Sequence, residues 1–386
     1  MDLLEYQGKE LFARHGLPVP KGVHASTVDA AVTASETLGY PVAVKAQVLI
    51  GGRGKAGGIK IAKDSAEAHE YAGQIIGMDI VGPHGEGPFT VHELWVEAGS
   101  EIDSEFYASV ILDRSAKKLM VMLSRMGGMD VEAIAASDPD ALVKQRVDPL
   151  AGLSEDEAKQ IVAQAKIPEE VGDQVASVLT KLVEVAQAED ATLIEVNPLI
   201  VNAGGEVILL DAKVTIDGNA LFRHPELEEL PESADQDPQE AMAKERGLTY
   251  VSLDGNIGIL GNGAGLCMST LDVVAQAGGR PANFLDAGGG SKAEAIIDAL
   301  EVITSNPEVT AILFNIFGGI TRCDEVARGI IEATNKIGLE LPLVVRLDGT
   351  NSEEGLALLA EAGLDNLHHE ATMLGAAKKV VELAGN

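Results

Sequence analysis

A lysine in the middle of an apolar, strand-forming run is the first residue of this chain that asks for chemistry. Lys45 interrupts PVAVKAQV, and a charged group in such a strand needs a counter-ion, water or an anionic ligand. A strand-mounted ammonium can hold phosphate oxygens as a point charge; an outward-facing surface lysine is the plainer reading. A few residues on, GGRGKAGG at 51–58 sets five glycines around Arg53 and Lys55. Glycines such as Gly52 and Gly54 permit turns and close backbone approach, so amide groups and cations can face phosphate oxygens. The spacing is neither a Walker loop nor a dinucleotide fingerprint, and a basic hairpin is the alternative.

Three further groups follow. ELWVEAGSEIDSEF carries Glu97, Ser100 and Glu105 near a strand end, where carboxylates can accept ribose hydroxyl hydrogen bonds, although acidic turns are common. TLIEVNPLIV and EVILLDAKVTI flank NAGG and read as a hairpin. One register sets Asn197 opposite Asp211; a slip of one residue sends one of them to the other face. An amide oxygen and a carboxylate suit magnesium attached to nucleotide phosphates, whereas a polar hairpin face is the alternative. Later, NGAG (262–265), GGG (288–290) and GGIT (318–321) each precede an expected helix, whose first N–H groups can receive an anion. Ordinary strand-to-helix turns would look the same.

The elements that must position these residues fall into two patterns. From about residue 40 to 120, strand-like pieces are broken by glycine, with a helix expected near 65–78. Residues 154–188 show helical spacing, with a capping box of Ser154 and Glu157 and a division near Pro168. The opening MDLLEYQGKELFARHG reads as an amphipathic helix rather than a signal peptide. A charged, proline-containing stretch at 223–245 reads as a linker or surface crossover. Beyond it, short apolar strands alternate with amphipathic helices, which predicts a parallel doubly wound sheet with its ligand ends after the strand carboxyl termini.

Composition narrows the functions. The chain has 386 residues, 46% of them hydrophobic, enough for two to four domains. Its 60 acidic against 29 basic side chains give a net charge of −31, which repels a nucleic-acid backbone. Cys267 and Cys323 lack metal-ligand spacing and read as reduced, structural thiols. No apolar run approaches the roughly 20 residues that span a bilayer, so a cytoplasmic location is expected.

In order along the chain, EYQGKELFARHGLPVP, the Lys45 strand, GGRGKAGG, EVNPL, DGNALFR, DGNIG, NGAG, NFLDAGGG and NIFGGITRCD resemble the beta subunits of succinate–CoA ligases over essentially the whole length. The resemblance implies an α/β protein: an ATP-grasp nucleotide-binding region of two subdomains at 1–238, then a flavodoxin-like, doubly wound CoA-ligase domain at 239–386. It implies Lys45, Gly52, Arg53 and Gly54 at the nucleotide phosphates, with Glu97, Ser100 and Glu105 near the nucleotide. A threonine is common in the family where Ser100 stands. It also implies Asn197 and Asp211 as magnesium ligands, and Asn262, Gly319, Ile320 and Thr321 at the organic-acid and phosphoryl-transfer site. Glu195 resembles a glutamate that contacts a histidine of an alpha partner. That partner is expected to carry the phosphorylated histidine and most of the CoA site, in a heterodimer or a two-pair heterotetramer, so none of the eight histidines here takes that role. Pro20 resembles the residue of ATP-using members, which favours ATP/ADP. A malate–CoA ligase beta subunit and a non-catalytic regulatory nucleotide-binding module remain as alternatives.

Overall fold

Residues 1–83, 85, 87–129, 141–230, 237–288 and 293–385 are described in this computed structural model, and the chain divides into two units, Met1–Asp235 and Gln236–Asn386. In the first unit the strands are β1 (Asp2–Leu3), β2 (Gly22–Ala25), β3 (Val42–Gln47), β4 (Ile59–Ala62), β5 (Asp79–Ile80), β6 (Phe89–Thr90), β7 (Glu93–Ala98), β8 (Ile102–Asp113), β9 (Lys118–Ser124), β10 (Leu142–Arg146), β11 (Ala191–Asn202), β12 (Val207–Leu209) and β13 (Lys213–Ile216). Its helices are α1 (Glu5–Arg14), α2 (Val28–Leu38), α3 (Ser65–Ile75), α4 (Glu155–Gln164), α5 (Glu169–Ala188) and the short α6 (Pro225–Glu228).

Among the described residues two antiparallel sheets dominate this unit. The smaller, in the order β2-β7-β3-β4, packs Val42, Val44, Leu94 and Val96 against Ala68, Ala72 and Ile75 of α3. The larger, β1-β13-β11-β8-β9-β10 with β12 on β11, lies against α4 and α5, whose Val175, Val178, Leu179 and Leu182 bury at helical spacing. The Ser154–Glu157 capping box opens α4, and Pro168 is the N-cap of α5, so the expected division is present. The opening helix forms, but its charges are not solvated: Glu5 and Lys9 are buried. They stay inside because they are paired with charges from other elements, which no helical periodicity reports.

The second unit carries α7 (Pro238–Glu245), β14 (Thr249–Ser252), β15 (Ile257–Gly261), α8 (Ala264–Gln276), β16 (Asn283–Asp286), α9 (Ala293–Thr304), β17 (Ala311–Gly318), α10 (Cys323–Ile337), β18 (Leu343–Gly349), α11 (Ser352–Ala362), β19 (Leu367–His369) and α12 (Met373–Leu383). Its sheet runs β14-β16-β15-β17-β18-β19. From β16 to β19 the pairs are parallel in the flavodoxin-like order 2-1-3-4-5. β14 adds to β16 as an antiparallel edge. Successive strand residues feed opposite cores: Ile259, Leu313 and Val344 pack with α8 and α12, while Leu260, Phe314 and Val345 pack with α9, α10 and α11. That two-sided burial is why these strands are apolar runs rather than alternating ones. The 223–245 stretch includes α6 and α7; 231–236 lie outside the described residues, as do Gly289 and Gly290 of the second glycine turn. No helix among the described residues is long and apolar enough to cross a membrane.

Candidate nucleotide and phosphoryl-transfer sites

Lys45 points into the first unit, not outward. Its Nζ lies 3.0 Å from Glu5 Oε1, 2.5 Å from Glu97 Oε1 and 2.9 Å from the Leu210 carbonyl oxygen. β3 pairs with β7 so that Lys45 stands opposite Trp95 and Ala43 opposite Glu97, which puts Lys45 and Glu97 on one face as diagonal neighbours. From the glycine turn, Arg53 turns inward and pairs with Glu5 Oε2 at 2.7 Å and Asp211 Oδ1 at 2.9 Å. Lys9 pairs with Glu5 at 2.7 Å and with Glu97, and the Trp95 indole N–H donates to Glu97 Oε2 at 2.9 Å. Three cations thus meet three carboxylates in a nearly dry cluster.

The cluster favours the charged forms of Glu5, Lys45 and Arg53. Burial alone would raise the Glu5 carboxyl, yet Arg53, Lys45 and Lys9 hold it well below the usual carboxylate range. Burial works to lower Lys45, but Glu5, Glu97 and Asp211 raise it above an ordinary lysine. Asp211 differs: burial and the nearby Glu5 push its carboxyl up despite Arg53 and the lysines. It is also the most open of the carboxylates, with its side chain 33% exposed. Lys55, by contrast, is exposed in the turn.

The hairpin takes the register that faces Asn197 toward Asp211. β11 and β12 pair Leu199 with Leu209, and β11 and β13 pair Glu195 with Lys213; both pairings extrapolate to Asn197 opposite Asp211 on one face. The Asn197 side chain is also tied to residues 127–129: its Oδ1 accepts from Gly128 N at 2.8 Å and its Nδ2 donates to Met129 O at 2.9 Å. Gly127 N donates to the Glu105 carbonyl at 3.0 Å. The Glu105 side chain lies so close to Gly128 that a Cβ there would meet Oε2 at 2.4 Å, and Gly128 takes φ +70°. Glu195, two residues before Asn197, accepts from the Tyr107 hydroxyl at 3.2 Å. Asp211, paired with Arg53, and Asn197 thus form a carboxylate and amide-oxygen pair, a donor set that fits a magnesium ion.

Ser100 lies elsewhere in the unit. With Pro20, Ala98, Gly99, Asn202 and Ile208 it lines an open cavity of about 350 Å³, a volume suited to a small planar group. Ser100 is three residues beyond Glu97, just past the end of β7.

In the second unit Asn262 follows β15 and the 318–321 turn follows β17, adjacent parallel strands at the point where strand order reverses. Asn262 Oδ1 accepts from Phe317 N at 2.9 Å, and its Nδ2 donates to Phe317 O at 2.9 Å and Thr321 Oγ1 at 3.2 Å. Thr321 is buried, whereas Ile320 is 89% exposed and Gly319 is exposed. The turn leads into α10, whose first residues include Asp324, held well below the usual carboxylate range by hydrogen bonds from Arg322, Asn351 and Arg328 against the effect of burial. Asp286 Oδ1 accepts from Gly263 N at 2.6 Å and Gly288 N at 2.8 Å, which fixes the first two glycine turns to each other.

Glu5, Lys9, Trp95 and Tyr107 are the residues the spacing arguments missed. The one signal that bears on them is the counter-ion that Lys45 requires inside an apolar strand. Of the four, Trp95 lies within strand-pairing reach of Lys45, which it stands opposite.

An ATP-grasp domain model matches residues 2–201 and a CoA-ligase model matches residues 260–380. The chain is 52% identical over 384 residues to the succinate–CoA ligase [ADP-forming] subunit beta of Rubrobacter xylanophilus, covering 100% of this chain and 99% of that protein. It is 49% identical over 385 residues to the protein of the same name from Natronomonas pharaonis, with the same coverage. Among solved structures, ATP citrate lyase from Methanothrix soehngenii in complex with citrate and coenzyme A shares the fold at a TM-score of 0.76 and 19% identity, over 99% of this chain and 98% of that one. With an ATP-grasp nucleotide region ahead of an open CoA-ligase sheet, and full-length likeness to the curated relatives, the chain belongs to the beta-subunit family of the ADP-forming succinate–CoA ligases, which are acid–thiol ligases.

Proposed function

We propose that this chain binds magnesium-ATP in its first unit and passes the terminal phosphoryl group, through a histidine of an alpha partner, to succinate at its second unit. Coenzyme A, held mainly by the partner, then attacks succinyl phosphate with its sulfur, releasing phosphate and forming succinyl-CoA. The reverse direction makes ATP from the thioester. The observation that carries this reading is the meeting of Lys45, Arg53 and Asp211 beside Asn197 in a fold built for nucleotide.

Lys45 and Arg53, with the backbone of Gly52 and Gly54, serve as the phosphate-binding groups. Because their donors are engaged by Glu5, Glu97 and Asp211, phosphate oxygens must compete with carboxylates for them, so the cations are kept charged and aimed beforehand. The cavity at Pro20 and Ser100 takes the base, and Glu97 and Glu105 lie along the nucleotide. Asp211 and Asn197 would hold magnesium, which screens phosphate charge when bound. Glu195, fixed by Tyr107, faces the partner histidine. In the second unit, Asn262 braces the Gly319, Ile320 and Thr321 turn, whose N–H groups receive the succinate carboxylate or the phosphoryl group. The test is reconstitution with an alpha chain and an assay of succinyl-CoA formation from succinate, CoA and magnesium-ATP, each subunit alone against the mixture. Turnover by this chain alone refutes the divided site, and turnover of malate but not succinate replaces the substrate.

A further inference from the structure

A second cluster of ligating side chains lies at the other end of α1, where three segments meet. His15 caps the C-terminus of α1, Glu189 caps α5 and is followed by Asp190, and His224 and Glu226 open α6. Glu189, His224 and Glu226 each offer one ligand atom, all within 4.8 Å of one another. Glu5, in the nucleotide network, is ten residues back along α1 from His15, roughly 15 Å at about 1.5 Å per residue. This cluster is separate from that network.

The hydrogen-bond accounting around Glu189 does not close without a further group. His15 Nε2 lies 2.5 Å from Glu189 Oε1, so that oxygen is satisfied. Glu189 as a residue is only 9% exposed, and its Oε2 is buried with no hydrogen-bond partner. A buried carboxylate oxygen left so carries a desolvation cost. His224 Nδ1 faces it at 3.7 Å, too long for a hydrogen bond. His224 Nε2 lies 2.8 Å from Asp190 Oδ2, where its N–H donates, and Asp190 is itself paired with Arg223. The other ring nitrogen, Nδ1, faces the orphaned Glu189 oxygen.

We propose that Glu189 Oε2, His224 Nδ1 and the Glu226 carboxylate form a binding site for a divalent transition-metal ion of the zinc class. Tetrahedral zinc bonds of about 2.0–2.1 Å set two ligand atoms roughly 3.4 Å apart, close to the 3.7 Å between Nδ1 and Oε2. Asp190 accepting from Nε2–H completes the carboxylate–histidine–metal arrangement that fixes tautomer and ring orientation. His15 holds Glu189 by its other oxygen, which leaves a single oxygen for the ion. Glu226 is exposed and can swing in, with water completing the shell. The ion would fasten the ends of α1 and α5 to the segment leaving β13, a structural role independent of the nucleotide reading.

The test uses the full-length chain, stripped with a chelator and titrated with zinc chloride against a chromophoric chelator at neutral pH without nucleotide. The wild type is expected to take up one equivalent, with affinity about tenfold or more weaker in Glu226→Gln and His224→Gln and unchanged in Asp211→Asn. Zinc should also raise the thermal midpoint of the wild type and not that of His224→Gln; circular dichroism confirms that each variant is folded. Equal affinity in wild type and Glu226→Gln overturns the site. So does binding lost only with Asp211→Asn. A wild type that binds no zinc, with His224 an imidazolium bridging Asp190 and Glu189 in its proton NMR titration, overturns it as well.

Discussion

Replacing Lys45 by Met removes one of the three cations that balance Glu5, Glu97 and Asp211, and leaves a buried excess of negative charge. At 3.0 Å from Glu5, the Lys45 ammonium contributes a gross attraction of about 5–6 kcal/mol at an effective dielectric of about 20. Its own desolvation offsets part of that. Breaking a buried pair from one side costs about 3–5 kcal/mol, a large share of the roughly 5–15 kcal/mol that holds a domain folded. Loss of nucleotide binding in a single Lys45 variant therefore confounds phosphate recognition with folding. Lys45→Met combined with Glu97→Gln restores the balance, two cations against two carboxylates, and the glutamine oxygen can still accept from the Trp95 indole. In urea unfolding the double variant is expected to be at least about 2 kcal/mol more stable than the sum of the single changes predicts. Additivity within about 0.5 kcal/mol, the behaviour of independent sites, would falsify the charge-balanced cluster. Calorimetric titration of the folded double variant with magnesium-ATP then isolates the function. Undiminished affinity removes Lys45 from the phosphate site.

Asp211→Asn keeps an oxygen for Arg53, so the fold should persist while affinity for magnesium-nucleotide falls about tenfold or more; unchanged calorimetric affinity removes Asp211 as a ligand. Gly318→Ala puts a Cβ 2.7 Å from Thr350 N and 3.0 Å from Cys323 Sγ, displacing the 319–321 turn. The expected result is reduced succinyl-CoA formation with nucleotide binding intact, and normal turnover would show that the turn's position does not matter. Burial pushes the Cys267 thiol up to about 12, so iodoacetamide at mildly alkaline pH should label it only after unfolding; rapid labelling of the native protein, seen by mass spectrometry, contradicts that burial. Asp324 has a depressed carboxyl, so its stabilisation is full above the unfolded value of about 3.9 and is lost as pH falls through the lower folded value. The stability gap between wild type and Asp324→Asn should narrow on acidification below about pH 4. A gap that widens there reverses the assigned sign.

Much of the candidate site was legible because its signals are local. A lysine inside an apolar run demands a partner whatever the fold, and five glycines in eight residues at 51–58 mark a turn. The strand–turn–helix rhythm after residue 255 led to a doubly wound sheet, because two-sided burial leaves apolar runs that alternate with helices. The capping box at Ser154 was equally visible, since its two partners are three residues apart. The helix at 5–14 was readable as an amphipathic helix, but not the burial of its charged residues. Its pattern of charges does not say that Glu5 and Lys9 face Lys45 and Glu97 rather than water.

Sequence alone determined most of the elements, the two-part organisation and a short set of glycine turns ahead of helices, because periodicity, caps and glycine preferences act within a few residues. It left two hairpin registers open, one with Asn197 beside Asp211 and one without. Long-range contacts decided the rest. Arg53 reaches Asp211 across 158 positions and Lys9 reaches Glu97 across 88, and His15 meets Glu189 across 174. Such pairings depend on how sheets and helices pack around shared cores, and spacing along the chain carries no information about partners brought together only by that packing.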